Sequence, residues 1–218
     1  FDKHTQNALR YSVAAVFWLP ALAVLVRSGR VSRGIWTAAI LPSVVNTIAQ
    51  LTWAWSLYYL DPAIVAFSTQ INAVCANALG MWFFRDERGL LRQPLFWLGT
   101  LASSAGFVLT VGGLPDLRSQ TALRGLAIIL AGSVPWGLYP VSVRRNMASY
   151  PPIAAFGVIA LYTAIGCDVL MLGWGEPAAI LTVSWEILGW VAISAVLGIG
   201  IAHVVYYGAL NRLGVAVT

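Results

Sequence analysis

IWTAAILPSVVNTIAQLTWAWSLYYL, residues 35–60, runs for 26 residues without one Asp, Glu, Lys or Arg. As a helix it would reach about 39 Å, more than the roughly 30 Å hydrocarbon core of a bilayer. The rest of the 218-residue chain has the same character, with 59% hydrophobic and 10% charged side chains, where a soluble domain carries about a quarter charged residues. Seven stretches are long and apolar enough to cross a membrane: 9–26, 35–60, 63–84, 94–113, 125–143, 152–174 and 187–210. None shows the two-residue alternation of a membrane barrel, so all are expected to be helices, the form that satisfies its own backbone in lipid. The fold class expected is an all-α integral membrane protein, with short connections that make neighbouring helices antiparallel.

The net charge of +5 does not point to nucleic acid, because the basic residues are divided among loops and no basic patch is interleaved with aromatics. They point to topology instead. If the spans alternate, Arg27, Arg30, Arg33, Arg85, Arg88, Arg92, Arg144, Arg145 and Arg212 gather on one side, and Lys3, Arg10, Arg118 and Arg124 on the other. Nine against four places the first side in the cytoplasm. The chain then starts outside, with Lys3 and Arg10 against the rule. It also begins with Phe1 rather than Met and stops at Thr218 as another apolar segment opens. A chain cut from a longer one, with a helix lost in front, is expected. No signal peptide opens it. Cys75 and Cys167 fall inside spans and read as small packing residues rather than a disulfide pair.

An internal repeat is suggested at an offset of 153 residues, where SLYYLDPAI (56–64) aligns with ALNRLGVAV (209–217) through Leu57/Leu210, Leu60/Leu213 and Ala63/Ala216. The same offset lays span 35–60 on span 187–210. A five-helix unit is odd in number, so its second copy would insert inverted, as in many secondary transporters.

Several stretches resemble the EamA-type permeases of the drug/metabolite transporter superfamily. YYLDPAIVAFSTQINAVCANALGMWFFRDERGL (58–90) is similar to the family's central segment, with Asp61 and Pro62 at the outer turn and Glu87 at the acidic position. LGTLASSAGFVLTVGG (98–113) is similar to the helix that follows, with Gly99 and Gly106 at its small positions. AGSVPWGLYPVSVRR (131–145) resembles the opening helix of the second repeat, with Trp136 and Gly137 at the matching pair, and ALNRLGVAVT matches a later helix junction. The resemblance implies ten helices in two inverted five-helix repeats, cytoplasmic termini and a substrate path between the repeats. On that reading, 1–113 is a first repeat lacking its first helix, 114–124 an inter-repeat loop, and 125–218 a second repeat lacking its last two helices.

Polar groups at membrane depth are costly and usually meet a partner or a wet cavity. Asn46 and Gln50 lie four apart on one helix face, with Trp53 one turn on and a kink expected at Pro42. The 153-residue offset pairs Gln50 with His203 and Trp53 with Tyr206. These residues either line a path or bond to neighbouring helices. The following span carries Ser68, Thr69, Gln70, Asn72 and Asn77 pointing several ways, so it is expected at the centre of the bundle, with Ser68 and Asn72 toward the path. Trp136 and Tyr139, between Pro135 and Pro140, are core or cavity residues, and the resemblance tilts Trp136 to the cavity.

Asp168, in YTAIGCDVLMLG (162–173), is the carboxylate deepest in a span and the proton-coupling candidate; it also lies near enough to the outer end to reach water. His203 is titratable near neutrality but equally suits hydrogen-bonded packing. Glu87, flanked by Arg85 and Arg88 in RDERGLL (85–91), fits local charge pairing at a helix end.

The expected function is a secondary transporter or exporter of small metabolites or drugs, driven by protons or by exchange, in a cell membrane, with a bacterial inner membrane implied by the resemblance. A membrane enzyme lacks support: the sequence has no paired catalytic carboxylates, no histidine cluster and no glycine-rich phosphate loop, and neither cofactor nor metal is expected. A seven-helix receptor is the other alternative, suggested by the span count alone; as a photoreceptor it would need a lysine in a span, and the sole lysine is Lys3. The partners expected are the lipid bilayer and a small-molecule substrate, and the spacing of Ala102 and Gly106 permits close contacts within the protein or in a homodimer.

Overall fold

A computed structural model describes residues 2–68, 70–113 and 119–218; Phe1, Thr69 and Arg118 lie outside them. The described chain is helical, without a strand: α1 (Lys3–Arg27), α2 (Ile35–Ala38), α3 (Ile40–Ser56), α4 (Pro62–Ser68), α5 (Gln70–Phe83), a 3-10 helix (Arg85–Arg92), α6 (Pro94–Gly113), α7 (Gln120–Met147), α8 (Pro152–Trp174), a 3-10 helix (Pro177–Leu181), α9 (Trp185–Ala195), a π-helical turn (Val196–Ile201) and α10 (Ala202–Leu213). Six of the seven expected spans are long and apolar enough to cross a membrane. The stretch 94–113 also forms a helix, whose apolar part Pro94–Leu109 is shorter.

Boundaries moved where capping chemistry extends a helix past its apolar core. The Asp2 carboxylate accepts from the backbone of His4 and Thr5 at 2.9 Å, so α1 starts at Lys3 rather than at residue 9 and sets Arg10 about two turns from the helix start. Ser119 caps Ala122 at 3.2 Å, so residues 120–124 of the expected inter-repeat loop belong to α7. The break at Ala39 follows from Pro42, whose ring clashes with the carbonyl four residues back, at Ala38.

The half of α8 nearer its start is buried on every side, without interruption from Ala154 to Ala160. Its residues there are small or β-branched apart from Phe156, and α1 and α3 pack against it. Lipid tails are as apolar as the helices, so such contacts rest on close packing rather than on a hydrophobic drive. Leucines on the outer faces remain bare, among them Leu98, Leu101 and Leu109 of α6, as a lipid-facing surface requires. Helix α7 bridges the two halves, touching α3 on one flank and α5 on the other. Gly137 permits the second contact: a Cβ there would stand 2.9 Å from backbone atoms of Cys75 and Ala76.

Helix α5 departs from expectation. It carries Gln70, Asn72 and Asn77, yet it lies at the edge of the described bundle, and Gly80 is its one fully buried residue. Asn77 faces an open groove, and Asn72 lies between that groove and a narrow cleft toward Thr52 and Trp53, so a helix with polar residues on several sides need not be central.

Both ends of the bundle are tied across distant chain segments. At one, Asp2 also accepts from Glu176 N at 2.9 Å, and the Tyr58 hydroxyl accepts from Lys3 N at 3.2 Å. Burial alone would raise the Asp2 carboxyl, but its hydrogen bonds from Thr5, Glu176 and His4 prevail and hold it below the usual range. At the other end, buried Glu87 accepts from Val215 N at 2.7 Å, from Ala216 N at 2.9 Å and from Arg144. Its partner is thus Arg144 of α7 rather than the flanking Arg85 or Arg88. Arg88 instead donates to the carbonyls of Met81 and Trp82. Arg144 also pairs with Asp86 at 2.6 Å, which keeps that carboxyl low, and its guanidinium lies 4.2 Å from the Phe84 ring centre. Gly214 turns the chain into this clamp at φ +88°, and a Cβ there would sit 2.8 Å from Glu87 Oε1.

Two stability outcomes follow from these contacts. Glu87→Ala leaves two amides without their acceptor and Arg144 with Asp86 alone, and is expected to destabilise by about 3 kcal/mol, read as a lowered melting temperature in detergent. Gly137→Ala drives a methyl into the α5 backbone at a cost of about 1–3 kcal/mol, whereas Gly99→Ala, which meets nothing within 4 Å, should melt like the parent.

Candidate functional site

Trp136 stands where three hollows meet. On one side is a cavity of about 370 Å³ lined by Trp136, Tyr139 and Pro140 of α7, Gly198 of the π-helical turn, and Ala202, His203 and Tyr206 of α10. On another, a groove of about 370 Å³ runs past Asn72, Ala76 and Asn77 of α5 to the clamped segment 215–218. A narrow cleft toward Thr52, Trp53 and Asn72 opens on the third. Of the candidates named from sequence, Trp53, Asn72, Trp136, Tyr139, His203 and Tyr206 therefore surround one place.

Local structure explains why. Pro135 and Pro140 each lack the N–H of a helix interior, so the carbonyls four residues back, at Ala131 and Trp136, lose their normal donors. The π-helical turn does the corresponding work on the facing wall, since it widens the helix by a residue where Gly198 and Gly200 leave space. His203 leaves that turn with Nδ1 2.9 Å from the Ile199 carbonyl. A carbonyl only accepts, so Nδ1 carries the proton and a neutral ring offers Nε2 as acceptor. The ring stacks on Phe156, with centroids 5.1 Å apart, and meets Tyr139 edge-on at 6.2 Å. The buried hydroxyls of Tyr139 and Tyr207 are hydrogen-bonded to each other.

Other candidates sit elsewhere. Asn46 and Gln50 are buried between α1, α3 and α8, where both donate to the Tyr11 hydroxyl, at 3.2 and 2.7 Å, and Asn46 also to Thr163 at 3.1 Å. Ser68 is buried in α4. Asp168 is half-buried on α8 and accepts from Ser12 at 3.2 Å. His203 makes its contacts with Phe156, Tyr139 and Tyr207, none of them shared with Asp168. Glu87 belongs to the clamp. The Cys75 thiol donates to Ser133 at 3.2 Å, and Cys167 lies 3.9 Å from Asn7 Nδ2. Among the described residues no three His, Cys, Asp or Glu side chains come together as a metal site would need.

Three residues of consequence were not singled out from sequence: Tyr11, Arg10 and Arg144. The first two lie inside the expected span 9–26, where Arg10 was read as a topology charge, and Asp2 followed by a polar first turn is the signal that sets the helix start before both. Arg144 gave none, because its pairing with Glu87 joins segments 57 residues apart.

The chain matches no protein-family model and no curated protein. A protein of known crystal structure shares its fold, with a TM-score of 0.69 at 18% identity over 97% of this chain and 71% of the other.

Proposed function

We propose that the protein is a secondary membrane transporter that moves small metabolites or drugs by alternating access, driven by protons or by exchange. The observation that carries this reading is the meeting of hollows at Trp136, inside a bundle of candidate spans, between α5 and α3 on one side and α7 and α10 on the other. A cavity of about 370 Å³ falls in the range of small-molecule sites. Its wall is aromatic with few polar groups, suited to holding a solute without tight bonds that would slow release. The prolines of α7 and the π-helical turn supply places where the two walls can bend.

The EamA-type resemblance agrees with this reading and extends it to ten helices in two inverted repeats. In support, α1 and α8, which the 153-residue offset relates, pack along each other. The bacterial inner membrane and a homodimer are parts of the same proposal. Coupling to protons is assigned to Asp168, the carboxylate well inside a span.

In proteoliposomes made with the full-length protein, Trp136→Ala is expected to cut solute flux by tenfold or more with little change in melting temperature; undiminished flux would remove the cavity from the path. Asp168→Asn is expected to flatten the dependence of flux on the pH gradient, and an unaltered gradient response would leave exchange as the driving mode.

A further inference from the structure

Arg10 lies about two turns inside α1, in a span of 25 residues. Its Nε is buried and has no hydrogen-bond partner. The ion pairs among the described residues both belong to Arg144, and Asp168 is engaged with Ser12. An unpaired guanidinium at such depth is costly, and residues of this kind usually face a cavity or a substrate path.

Arg10 is placed to serve a cavity. Its Nη2 lies against Gly198, on the wall of the hollow formed by Trp136, Tyr139, His203 and Tyr206. A Cβ at position 198 would stand 3.7 Å from Nη2, so a longer side chain there would cover the guanidinium, and glycine leaves it open. No carboxylate lines the cavity. Arg10 is not itself a lining residue; its guanidinium stands behind Gly198, beside a wall of four rings with no negative charge.

From this juxtaposition we infer that Arg10 is the anion-binding residue of the cavity, and that the cavity takes a small organic carboxylate with a planar, apolar body. The guanidinium fork matches a carboxylate with two parallel hydrogen bonds, while the rings of Trp136, Tyr139 and Tyr206 take the apolar part in offset or edge-on contact. This deepens the transport reading by naming a substrate class, but binding itself requires no flux.

The test is calorimetric titration of the purified full-length protein with phenylacetate, its neutral isostere phenylacetamide and cationic phenethylamine. Phenylacetate is expected to bind about tenfold or more tightly than the amide, with phenethylamine weakest. Arg10→Met should erase that difference, Arg10→Lys should keep part of it, and ligand-free Arg10→Met should melt no lower than the parent because no bond is lost. Absence of phenylacetate binding, equal affinity for acid and amide, a preference that survives Arg10→Met, or a clear fall in that variant's melting temperature would each overturn the inference. Arg10-dependent binding without flux in liposomes would remove the transporter reading and keep this one. Flux of another solute with no carboxylate preference would do the reverse.

Discussion

The Glu87 carboxylate accepts from two backbone amides and from Arg144 while almost hidden from solvent, and the helices around the cavity owe their relative positions to it. Glu87 follows α5, Arg144 ends α7, and Val215 and Ala216 follow α10. Those three helices form the walls at Trp136. Because lipid gives apolar helices little reason to associate, a charged knot at one end and close glycine contacts along the length must do what a hydrophobic core does in a soluble protein. Removing Arg144 leaves the buried Glu87 carboxylate without its cation, whereas removing Glu87 leaves two amides unpaired and Arg144 with Asp86.

Much of the helix plan was legible because the requirement that sets it, about 20 apolar residues per crossing, is a property of local composition. The break before Pro42 was legible for the same reason, since proline acts on its own turn. Helix starts were less so, as Asp2 and Ser119 extend α1 and α7 through polar residues that hydropathy assigns to loops. The place of α5 was misread. Its asparagines suggested a central helix, but a groove floored by residues 215–218 accommodates them at the edge.

For the site, the sequence distinguishes polar residues at depth without saying which of them meet. Trp136 and Tyr139 fall together with His203 and Tyr206 because α7 and α10 face each other across the cavity. Asn46 and Gln50 have the same chemistry and a cleaner stripe, yet Tyr11 takes both as donors inside the packing of α1, α3 and α8. Nothing in the residues 46–50 distinguishes those outcomes, since the deciding group is a hydroxyl on another helix. Arg10 was counted as a charge at the edge of the span 9–26, and the cap at Asp2 sets it about two turns inside the helix.

The π-helical turn also governs how this protein can be altered by evolution. An α-helix advances about 100° per residue, and the π-helical turn Val196–Ile201 absorbs one extra residue, so everything after it stands roughly that angle from where an unbroken α-helix would put it. A helical wheel drawn straight through Trp185–Leu213 would therefore assign His203, Tyr206 and Tyr207 to the wrong face. Loss of a single residue between 196 and 201 would return the turn to plain α-helix and leave all three rings on their present face. Relatives that keep those aromatics but lack the extra residue should be aligned with a one-residue gap in this turn and compared as the same cavity.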